Sequence, residues 1–343
     1  MKTWELDAFG MDQLQLRDRP DAVAGPGQVL IKMAAFSLNY RDLMVVKGQY
    51  NPRLRFPFVP LSDGVGEIVA LGAGVTHWRV GQRVSPCFMP AWVDGEVTEA
   101  KGKSALGGGV AGVAAELAAI DAQGIVAVPE HLKPAEAATL PCAAVTAWHA
   151  LVNSGGIKAG DTVLIQGTGG VSLFALQFAK LHGARVIGTS SSDVKLARLT
   201  SMGVEKSVNY RETPEWGEAV RKLSDDVGVD HVVEVGGAGT LAQSFRAVRM
   251  GGHIALIGVL TGGTALVNPI PVLMRNLRVQ GIFVGSRAMF ANMNKAIAAA
   301  KMKPVVDRVF GFAELPAALA HLESGRHFGK VCLEANKRRS QDM

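Results

Sequence analysis

Residues 163–193 constrain the fold more than any other part of the sequence. They open with the apolar run 163–165, which is typical of a buried parallel strand. A glycine-rich turn at 167–170 follows, and apolar residues then recur at helical spacing as far as Leu181. A second apolar segment covers 185–188. A strand, turn, helix and strand within about thirty residues predict a βαβ unit of a parallel sheet.

The turn in this unit has the glycine spacing of a dinucleotide-binding site. Gly167 permits a tight turn, and Gly169 lets the backbone approach a pyrophosphate. Gly170 opens the helix, whose N-terminus points its free N–H groups at that anion. Ser172 takes the place of the third glycine and is small enough to keep helix and strand close. We therefore expect Gly167, Gly169, Gly170 and Val171 to bind a dinucleotide cofactor.

The end of the second strand indicates which dinucleotide is bound. An NAD-binding unit usually carries Asp or Glu there, which accepts hydrogen bonds from the ribose 2′-hydroxyl. Here residues 189–192 read Thr-Ser-Ser-Ser, and Lys195 and Arg198 follow. A carboxylate would repel a 2′-phosphate, whereas hydroxyls and an ammonium group bind one. The sequence favours NADP(H), with Ser190, Ser191 and Lys195 as contacts; alternatively, the serines form a polar loop and Lys195 is a solvated helix residue.

Length and composition bound the remaining possibilities. The 343 residues, 48% of them hydrophobic, exceed one compact core and predict two domains. The three cysteines, Cys87, Cys142 and Cys332, are too widely spaced for a disulfide framework or a paired-cysteine metal site. This usage favours a reducing compartment, the cytoplasm. The N-terminal residues carry charges where a secretion signal would be apolar, and no apolar run reaches the length of a membrane span.

The charge of the chain raises the question of a nucleic-acid partner. The net charge is +6 and the pI about 9.3. However, the basic residues are scattered and lack interleaved aromatic residues. The one basic cluster, at 337–339, lies in a polar tail that we expect to be disordered. A mildly basic surface also suits an enzyme with a phosphate-rich cofactor. We expect a small-molecule substrate, with no nucleic acid and no membrane as partner.

The two halves of the chain differ in pattern. Residues 1–125 contain short apolar segments at 29–33, 66–71 and 83–84 between Pro and Gly, which predicts a compact β-rich domain. A long loop is predicted at 90–112. From residue 126 onwards helical and apolar segments alternate, which predicts a doubly wound parallel sheet. The predicted helices are 134–138, 143–152, 171–182, 193–202, 214–225 and 239–249, and the predicted strands are 162–166, 185–189, 205–209, 230–235, 253–258 and 277–283.

The last part of the chain is predicted to return to the first domain. Helices are expected near 287–300 and 313–324, and a final strand at 329–334. No internal repeat is visible.

Further motifs along the chain point to one family. They lie at 28–32 (Gln-Val-Leu-Ile-Lys), 39–42 (Asn-Tyr-Arg-Asp), 64–69 (Gly-Val-Gly-Glu-Ile-Val), 81–84 (Gly-Gln-Arg-Val), 137–141 (Ala-Ala-Thr-Leu-Pro), 208–211 (Val-Asn-Tyr-Arg) and 328–331 (Phe-Gly-Lys-Val). Over essentially its whole length the sequence resembles the medium-chain dehydrogenase/reductase superfamily, in particular its zinc-independent, quinone-oxidoreductase-like branch. The resemblance implies an α/β protein with a GroES-like β-rich catalytic domain, residues 1–125 and 286–343, and a Rossmann NADP(H)-binding domain, residues 126–285.

The resemblance also identifies three positions at which zinc-dependent relatives hold their catalytic zinc. In this sequence they are Asn39, Ser62 and Cys142. One thiolate cannot make a zinc site that needs three protein ligands. The four cysteines of a structural zinc lobe are also missing, since only Cys87 lies nearby. We therefore expect no zinc, and we expect Cys142 to be a small buried hydrophobic residue.

Without a Lewis acid, some reactions are favoured over others. Alcohol oxidation must stabilise an alkoxide, whereas hydride transfer to a quinone or an activated C=C or C=O bond needs orientation, a hydrogen-bond donor and a proton source. The resemblance places Asn39, Tyr40, Asp42 and Tyr50 around the nicotinamide. Asn39 is the expected hydrogen-bonding group, and Tyr50 is the expected proton donor or a ring against the substrate. Asp42 alternatively anchors its own turn, Tyr50 alternatively only closes a loop, and the role of Tyr40 is open.

The remaining expected cofactor contacts also come from the resemblance. Thr146 should meet the nicotinamide, Tyr210 the adenosine 2′-phosphate, and the backbone at 283–284 the carboxamide; Lys330 either contacts the cofactor or bridges the domains. The full set is Thr146, Tyr210, Gly236, Ile257, Val259, Phe283, Val284 and Lys330. Two other functions stay open: an NAD(P)-dependent alcohol dehydrogenase, and a non-catalytic, crystallin-like NADPH-binding protein. Relatives imply a homodimer joined edge to edge near 277–284.

Overall fold

The structure, a computed structural model, describes residues 1–335. The strands are β1 (Lys2–Leu6), β2 (Leu14–Asp18), β3 (Gln28–Ser37), β4 (Asp63–Leu71), β5 (Arg83–Pro86), β6 (Leu117–Asp121), β7 (Ile125–Ala127), β8 (Thr162–Gln166), β9 (Arg185–Ser190), β10 (Lys206–Asn209), β11 (Val229–Glu234), β12 (Val248–Leu256), β13 (Arg278–Gly281), β14 (Val306–Gly311) and β15 (Lys330–Glu334). The helices are α1 (Tyr40–Val46), α2 (Glu99–Lys103), α3 (Pro134–Ala137), α4 (Val145–Trp148), α5 (Gly170–Leu181), α6 (Asp193–Ser201), α7 (Trp216–Leu223), α8 (Leu241–Ala247), α9 (Ile270–Met274), α10 (Arg287–Ala300) and α11 (Leu315–Glu323). Within residues 1–335, no helix is both long enough and apolar enough to cross a membrane.

The chain folds as two units. The first comprises Met1–Val145 and the described residues from Gly285 to 335, and the second is Thr146–Val284. The sequence-based division lies at residue 125, whereas the structure groups residues 126–145 with the first unit. The physical reason is pairing: β7 pairs with β5, and the backbone N–H of Cys142 donates to Asp63 of β4 at 3.1 Å. The predicted basic cluster at 337–339 lies outside the described residues.

The first unit is built on a seven-stranded sheet in the order β14-β15-β3-β4-β5-β7, with β6 also paired to β3. Along β3, Val29, Ile31 and Met33 alternate inwards with the period of a strand that has one buried face. Phe36 continues into the core, where its ring stacks on Phe312 at 5.0 Å between centroids. The β-rich unit predicted from the sequence is confirmed, and β15 brings the end of the described chain into its sheet.

The second unit contains a six-stranded, wholly parallel sheet. Its strand order is β10-β9-β8-β11-β12-β13, so the chain winds outwards in both directions from the border between β8 and β11. All five residues of β8 are buried, as a central parallel strand requires. The doubly wound sheet predicted from the sequence is confirmed. In such sheets ligands bind at the carboxyl ends of the strands, where the strand order reverses.

Some elements differ from the sequence-based prediction. The segment predicted as one long loop, 90–112, contains the short helix α2. The helix predicted at 143–152 is α4 flanked by two wider, π-helical turns, Leu140–Ala144 and His149–Ser154. The strand predicted to start at 253 begins at Val248, because it continues directly from the end of α8.

Candidate active site and cofactor-binding turn

The glycine turn after β8 has the geometry expected of an anion-binding site. Gly167 has a φ of 68°, in the region that glycine adopts without strain, and its N–H donates to the Thr189 carbonyl at 2.7 Å. A Cβ placed on Gly167 or Gly169 would meet nothing within 4 Å. The N-terminus of the twelve-residue helix α5 therefore faces open space, and the turn fits the pyrophosphate of a dinucleotide. The Ser172 hydroxyl donates to the Gln166 carbonyl at 2.6 Å, which ties α5 to β8.

Hydroxyl groups surround the end of β9. The buried Ser190 accepts a hydrogen bond from the Ser192 N–H at 3.3 Å. The Ser192 hydroxyl in turn caps α6 by accepting from the backbone N–H of Lys195 at 3.5 Å. The Tyr210 N–H donates to the Ser190 carbonyl at 3.1 Å, and its side chain is exposed. The structure thus brings together the predicted contacts Ser190, Ser191, Lys195 and Tyr210.

One carboxylate lies near this strand end, at the first residue of α6. The side chain of Asp193 accepts a hydrogen bond from the Asn209 amide at 2.8 Å. Asp193 is therefore paired with the end of the neighbouring strand β10. It does not take the position directly after β9, where an NAD-binding unit carries its acidic residue.

A buried carboxylate organises the end of β11, and the sequence-based analysis missed it. Glu234 is fully buried. Its Oε1 accepts from Gly236 N at 2.8 Å, Gly237 N at 2.9 Å and Thr240 Oγ1 at 2.6 Å, and its Oε2 accepts from Gln166 Nε2 at 2.7 Å and from Ser244 Oγ. The hydrogen bond from its N–H to Glu234 thus fixes the backbone of Gly236, one of the predicted cofactor contacts. An acidic residue at the end of an apolar strand and before two glycines was the available signal.

The backbone is strained at the predicted carboxamide contact. Val284 has a φ of 54°, which is unfavourable for a β-branched residue and is typical of functional sites. Its carbonyl accepts a hydrogen bond from His149 Nδ1 at 2.7 Å. Burial lowers the pKa of His149, which keeps this imidazole neutral near pH 7. His149 therefore holds the backbone of Val284 in place.

The other predicted cofactor residues of the second unit lie at strand ends or on α4. The N–H of Ile257, which follows β12, donates to the Glu234 carbonyl at 2.9 Å. Val259 and Phe283 have exposed side chains, whereas Thr146 on α4 is buried. Ile257, Val259 and Phe283 thus lie at the carboxyl edge of the sheet, where ligands bind in such folds.

In the first unit, the predicted catalytic residue Asn39 is buried and bonded on both sides. Its N–H donates to Asp42 Oδ2 at 2.7 Å, which caps α1. Its side-chain Oδ1 accepts from the ammonium group of Lys330 at 2.5 Å. Lys330 is only 4% exposed and also donates to the Leu38 carbonyl at 2.6 Å. The two predicted catalytic residues Asn39 and Asp42 are thus together, and the ammonium group of Lys330 is buried beside them.

The three positions compared with zinc ligands lie next to one another. Asn39 Nδ2 donates to Ser62 Oγ at 3.4 Å, and Ser62 Oγ donates to Asp63 Oδ1 at 2.7 Å. Asp63 Oδ2 accepts from the backbone N–H of Cys142. These donors do not fit zinc, which takes thiolate, imidazole and carboxylate ligands. In the described part of the chain, no three His, Cys, Asp or Glu side chains are grouped to hold a metal ion.

Arg41 and Tyr50 form a second polar group in this unit. The guanidinium of Arg41 lies 4.3 Å from the centre of the Phe88 ring and 5.0 Å from that of Tyr50, and it donates to the Leu106 carbonyl. A Cβ on Gly108 would come within 2.3 Å of Arg41 Nη2, so the loop backbone packs directly on this pair. Tyr50 is partly buried beside Arg41, whereas the Tyr40 side chain, 44% exposed, points away from the core.

Burial dominates the protonation of these groups. It raises the pKa of Asp42 to about 6, against the opposing effect of the Arg41 charge. It also raises the pKa of Asp63, while the charge of Lys330 acts to lower it. Burial raises the pKa of Tyr50, which stays a phenol and can donate a proton. Cys142, predicted to be a buried residue, is only partly buried, because its side chain keeps some contact with solvent. Desolvation still raises the pKa of its thiol well above the usual value, so it is a thiol at neutral pH in the metal-free protein.

Comparisons with known proteins agree with this architecture. The family model described as alcohol dehydrogenase GroES-like domain matches residues 25–130, and the one described as zinc-binding dehydrogenase matches residues 170–299. A zinc-type alcohol dehydrogenase-like protein of Schizosaccharomyces pombe is 43% identical over 95% of this chain and 96% of its own length. An acryloyl-coenzyme A reductase of Metallosphaera sedula is 28% identical over 93% and 96%. The crystal structure of a Sinorhizobium meliloti protein, provisionally assigned as an alcohol dehydrogenase, gives a TM-score of 0.91 at 43% identity, over 97% of this chain and 98% of that chain.

Proposed function

Because the chain belongs to the medium-chain dehydrogenase/reductase superfamily, it is an oxidoreductase with a nicotinamide cofactor. We propose that this cofactor is NADP(H), and that the enzyme reduces a quinone or an activated C=C or C=O bond without a metal ion. The observation that carries the proposal is the buried ammonium group of Lys330, 2.5 Å from Asn39 Oδ1. It places a positive charge beside the three positions that hold zinc in zinc-dependent relatives.

Two properties of these positions support a metal-independent reaction. The first is the donor set, since an amide, a hydroxyl and a single thiol stand where zinc needs three charged or imidazole ligands. The second is electrostatic, because the ammonium group of Lys330 would repel a divalent cation at Asn39. The zinc named in one family description thus does not match these residues of this chain.

The end of β9 supports NADP(H) as the cofactor. Ser190 and Ser191 offer hydroxyls at the place where a carboxylate would select NAD(H). Asp193, the nearest carboxylate along the chain, is bonded to Asn209. Lys195 supplies a positive charge in the first turn of α6, which favours a 2′-phosphate.

The residues of the first unit supply what a metal-free reduction needs. NADPH, when bound, would supply a hydride to the substrate carbon. The Asn39 amide N–H would then stabilise the negative charge that develops on the substrate oxygen as the π-electron pair shifts to it. The phenol of Tyr50 then gives its proton to the reduced product and recovers one from water. The product gains one hydride and one proton. The M. sedula relative, an acryloyl-coenzyme A reductase, supports an activated C=C bond as one such acceptor.

We also propose that the protein is a homodimer joined at β13. This strand is one of the two edges of the six-stranded sheet, and all four of its residues are exposed. The preceding helix α9 exposes Ile270, Leu273 and Met274. An exposed sheet edge beside exposed apolar side chains favours pairing with a second copy.

The test of the proposed reaction is cofactor consumption with a panel of acceptors. NADPH and NADH are each offered with a naphthoquinone, an enone, an aldehyde and, in the reverse direction, a secondary alcohol. We expect NADPH-dependent turnover with the quinone or the enone, and a lower kcat in Tyr50→Phe. Turnover of the alcohol alone would instead identify an alcohol dehydrogenase. Tight NADPH binding without turnover on any acceptor would identify a non-catalytic binding protein.

A further inference from the structure

Four buried polar residues of the first unit form a continuous chain of hydrogen bonds. Lys330 Nζ donates to Asn39 Oδ1 at 2.5 Å, Asn39 Nδ2 donates to Ser62 Oγ at 3.4 Å, and Ser62 Oγ donates to Asp63 Oδ1 at 2.7 Å. Each of the four side chains is less than one tenth exposed. This series of hydrogen bonds runs from the ammonium group of Lys330 on β15, through Asn39 before α1, to the carboxylate of Asp63 at the start of β4.

The groups at the two ends of this series of hydrogen bonds fix which atom donates and which accepts in each bond. An ammonium group can only donate hydrogen bonds, and an ionised carboxylate can only accept them. The amide of Asn39 has one end of each kind, so its oxygen must face Lys330 and its nitrogen must face away from it. Without Lys330, a rotation of the amide by 180° would exchange the two ends.

Burying Lys330 in this place is costly, which argues for a role beyond packing. Among the described residues no carboxylate lies within ion-pair distance of its ammonium group, whose two acceptors are the neutral oxygens of Leu38 and Asn39. A desolvated charge destabilises a fold unless it is paired and hydrogen-bonded, and Lys330 has hydrogen bonds but, within residues 1–335, no paired carboxylate. The charges of Asp63 and Asp42 act on it only from a greater distance.

Resting on the proposed function, we propose that Lys330 is a positioning residue that acts through Asn39. It holds the amide with Nδ2 turned to the substrate, and its charge polarises the amide so that the N–H becomes a stronger donor. Ser62 Oγ and Asp63 Oδ1 lie 2.7 Å apart, so one N–H of Nδ2 can face both of them. The second N–H is then available for the substrate oxygen on which negative charge develops.

A measurement without turnover tests the positioning itself. The side-chain amide resonances of Asn39, assigned by their loss in Asn39→Leu, are compared in the wild-type protein, Lys330→Met and the control Lys32→Met, whose lysine is exposed on β3. In Lys330→Met we expect the Asn39 amide shifts to move and its exchange with water to accelerate by about tenfold or more, because an anchoring bond is lost. The control should match the wild type. Unchanged Asn39 resonances in folded Lys330→Met would overturn the proposal.

Steady-state kinetics then show whether Lys330 acts through Asn39 or contacts the cofactor itself. Lys330→Met should lower kcat about 10- to 100-fold, which is less than the roughly 100- to 1,000-fold loss for removal of an oxyanion donor, because the Asn39 amide is still present. The KM for NADPH should stay within about threefold. In an Asn39→Leu background the same substitution should have no further effect. A raised KM for NADPH with multiplying effects would show instead that Lys330 binds the cofactor.

A third variant keeps the proposal testable if Lys330→Met does not fold. If Lys330→Met does not fold, Lys330→Arg keeps the cation and should preserve the Asn39 resonances and kcat to within about threefold. Loss of the Asn39 signals in folded Lys330→Arg would contradict the proposal. If the wild-type protein reduces no acceptor, the proposed function fails, while the resonance comparison still decides whether Lys330 orients Asn39.

Discussion

Substitutions of Glu234 test how strongly its carboxylate stabilises the loop that follows β11 in the second unit. In Glu234→Gln the side chain keeps one oxygen, which can still accept from Gly236, Gly237 and Thr240. Its new NH₂ group then meets the side-chain N–H of Gln166. Ser244 can rotate its hydroxyl to accept instead, but the Gln166 amide cannot. One N–H of the Gln166 amide keeps Ser244 Oγ as its acceptor at 2.8 Å, and the other is left buried without an acceptor.

The size of the effect follows from that stranded donor. A buried unsatisfied donor costs about 1–3 kcal/mol, and removal of the charge relieves a desolvation cost that offsets the weaker remaining bonds. We expect Glu234→Gln to lower the free energy of unfolding by about 2 kcal/mol. Glu234→Leu leaves the N–H of Gly237 and one N–H of the Gln166 amide without acceptors, whereas the N–H of Gly236 keeps Gln166 Oε1 at 3.3 Å. This substitution should cost about 4 kcal/mol.

Urea denaturation of the three proteins measures this series, with Glu205→Gln as a matched control at an exposed position of the same unit. Amide hydrogen exchange at Gly236 and Gly237 should accelerate in the same order. Equal stabilities of the wild type and Glu234→Leu would refute the reasoning, since the hydrogen bonds to Glu234 would then contribute nothing. A large effect in Glu205→Gln would show that the loss of charge alone is responsible.

Three further predictions concern the cofactor, pH and assembly. Ser191→Asp should weaken NADPH binding about 10- to 100-fold relative to NADH, because a carboxylate repels the 2′-phosphate; an equal loss for both cofactors in fluorescence titrations would contradict this. Burial lowers the pKa of His253 to about 4 from 6.5, so the unfolded state takes up the proton first as the pH falls. Stability should therefore drop by about 3 kcal/mol between pH 6.5 and 4, and a urea titration of His253→Gln should show a smaller drop. Leu273→Asp on α9 should convert the proposed dimer into a monomer in light scattering, while Val23→Asp, at an exposed position of the first unit, should not.

Most of the fold follows from local sequence patterns. Apolar runs bounded by glycine predicted the strands of the second unit, because central parallel strands are buried on both faces. The same reasoning located the turn at Gly167 and Gly169, since it depends on residues adjacent in the chain. The boundary between the two units was less predictable. Residues 126–145 group with the first unit because β7 pairs with β5 and the N–H of Cys142 donates to Asp63, and both partners are distant in sequence.

The candidate site shows where sequence reasoning stops. Asn39, Ser62 and Cys142 could be singled out by position, and the structure brings them together. Lys330 was predicted to contact the cofactor or to bridge the domains, and its bond to Asn39, across 291 residues, was not foreseen. Glu234 was missed, because its five donors come from three separate segments. Such bonds depend on the packing of distant elements, which residue spacing does not encode.

A metal-independent reaction predicts that NADPH oxidation does not depend on bound metal. The purified protein is treated with a strong chelator, its metal content is measured by mass spectrometry, and NADPH oxidation is followed with the best quinone or enone acceptor. We predict unchanged kcat in protein that contains far less than one metal ion per chain. Loss of activity on chelation and its recovery with added zinc would contradict a metal-independent reaction.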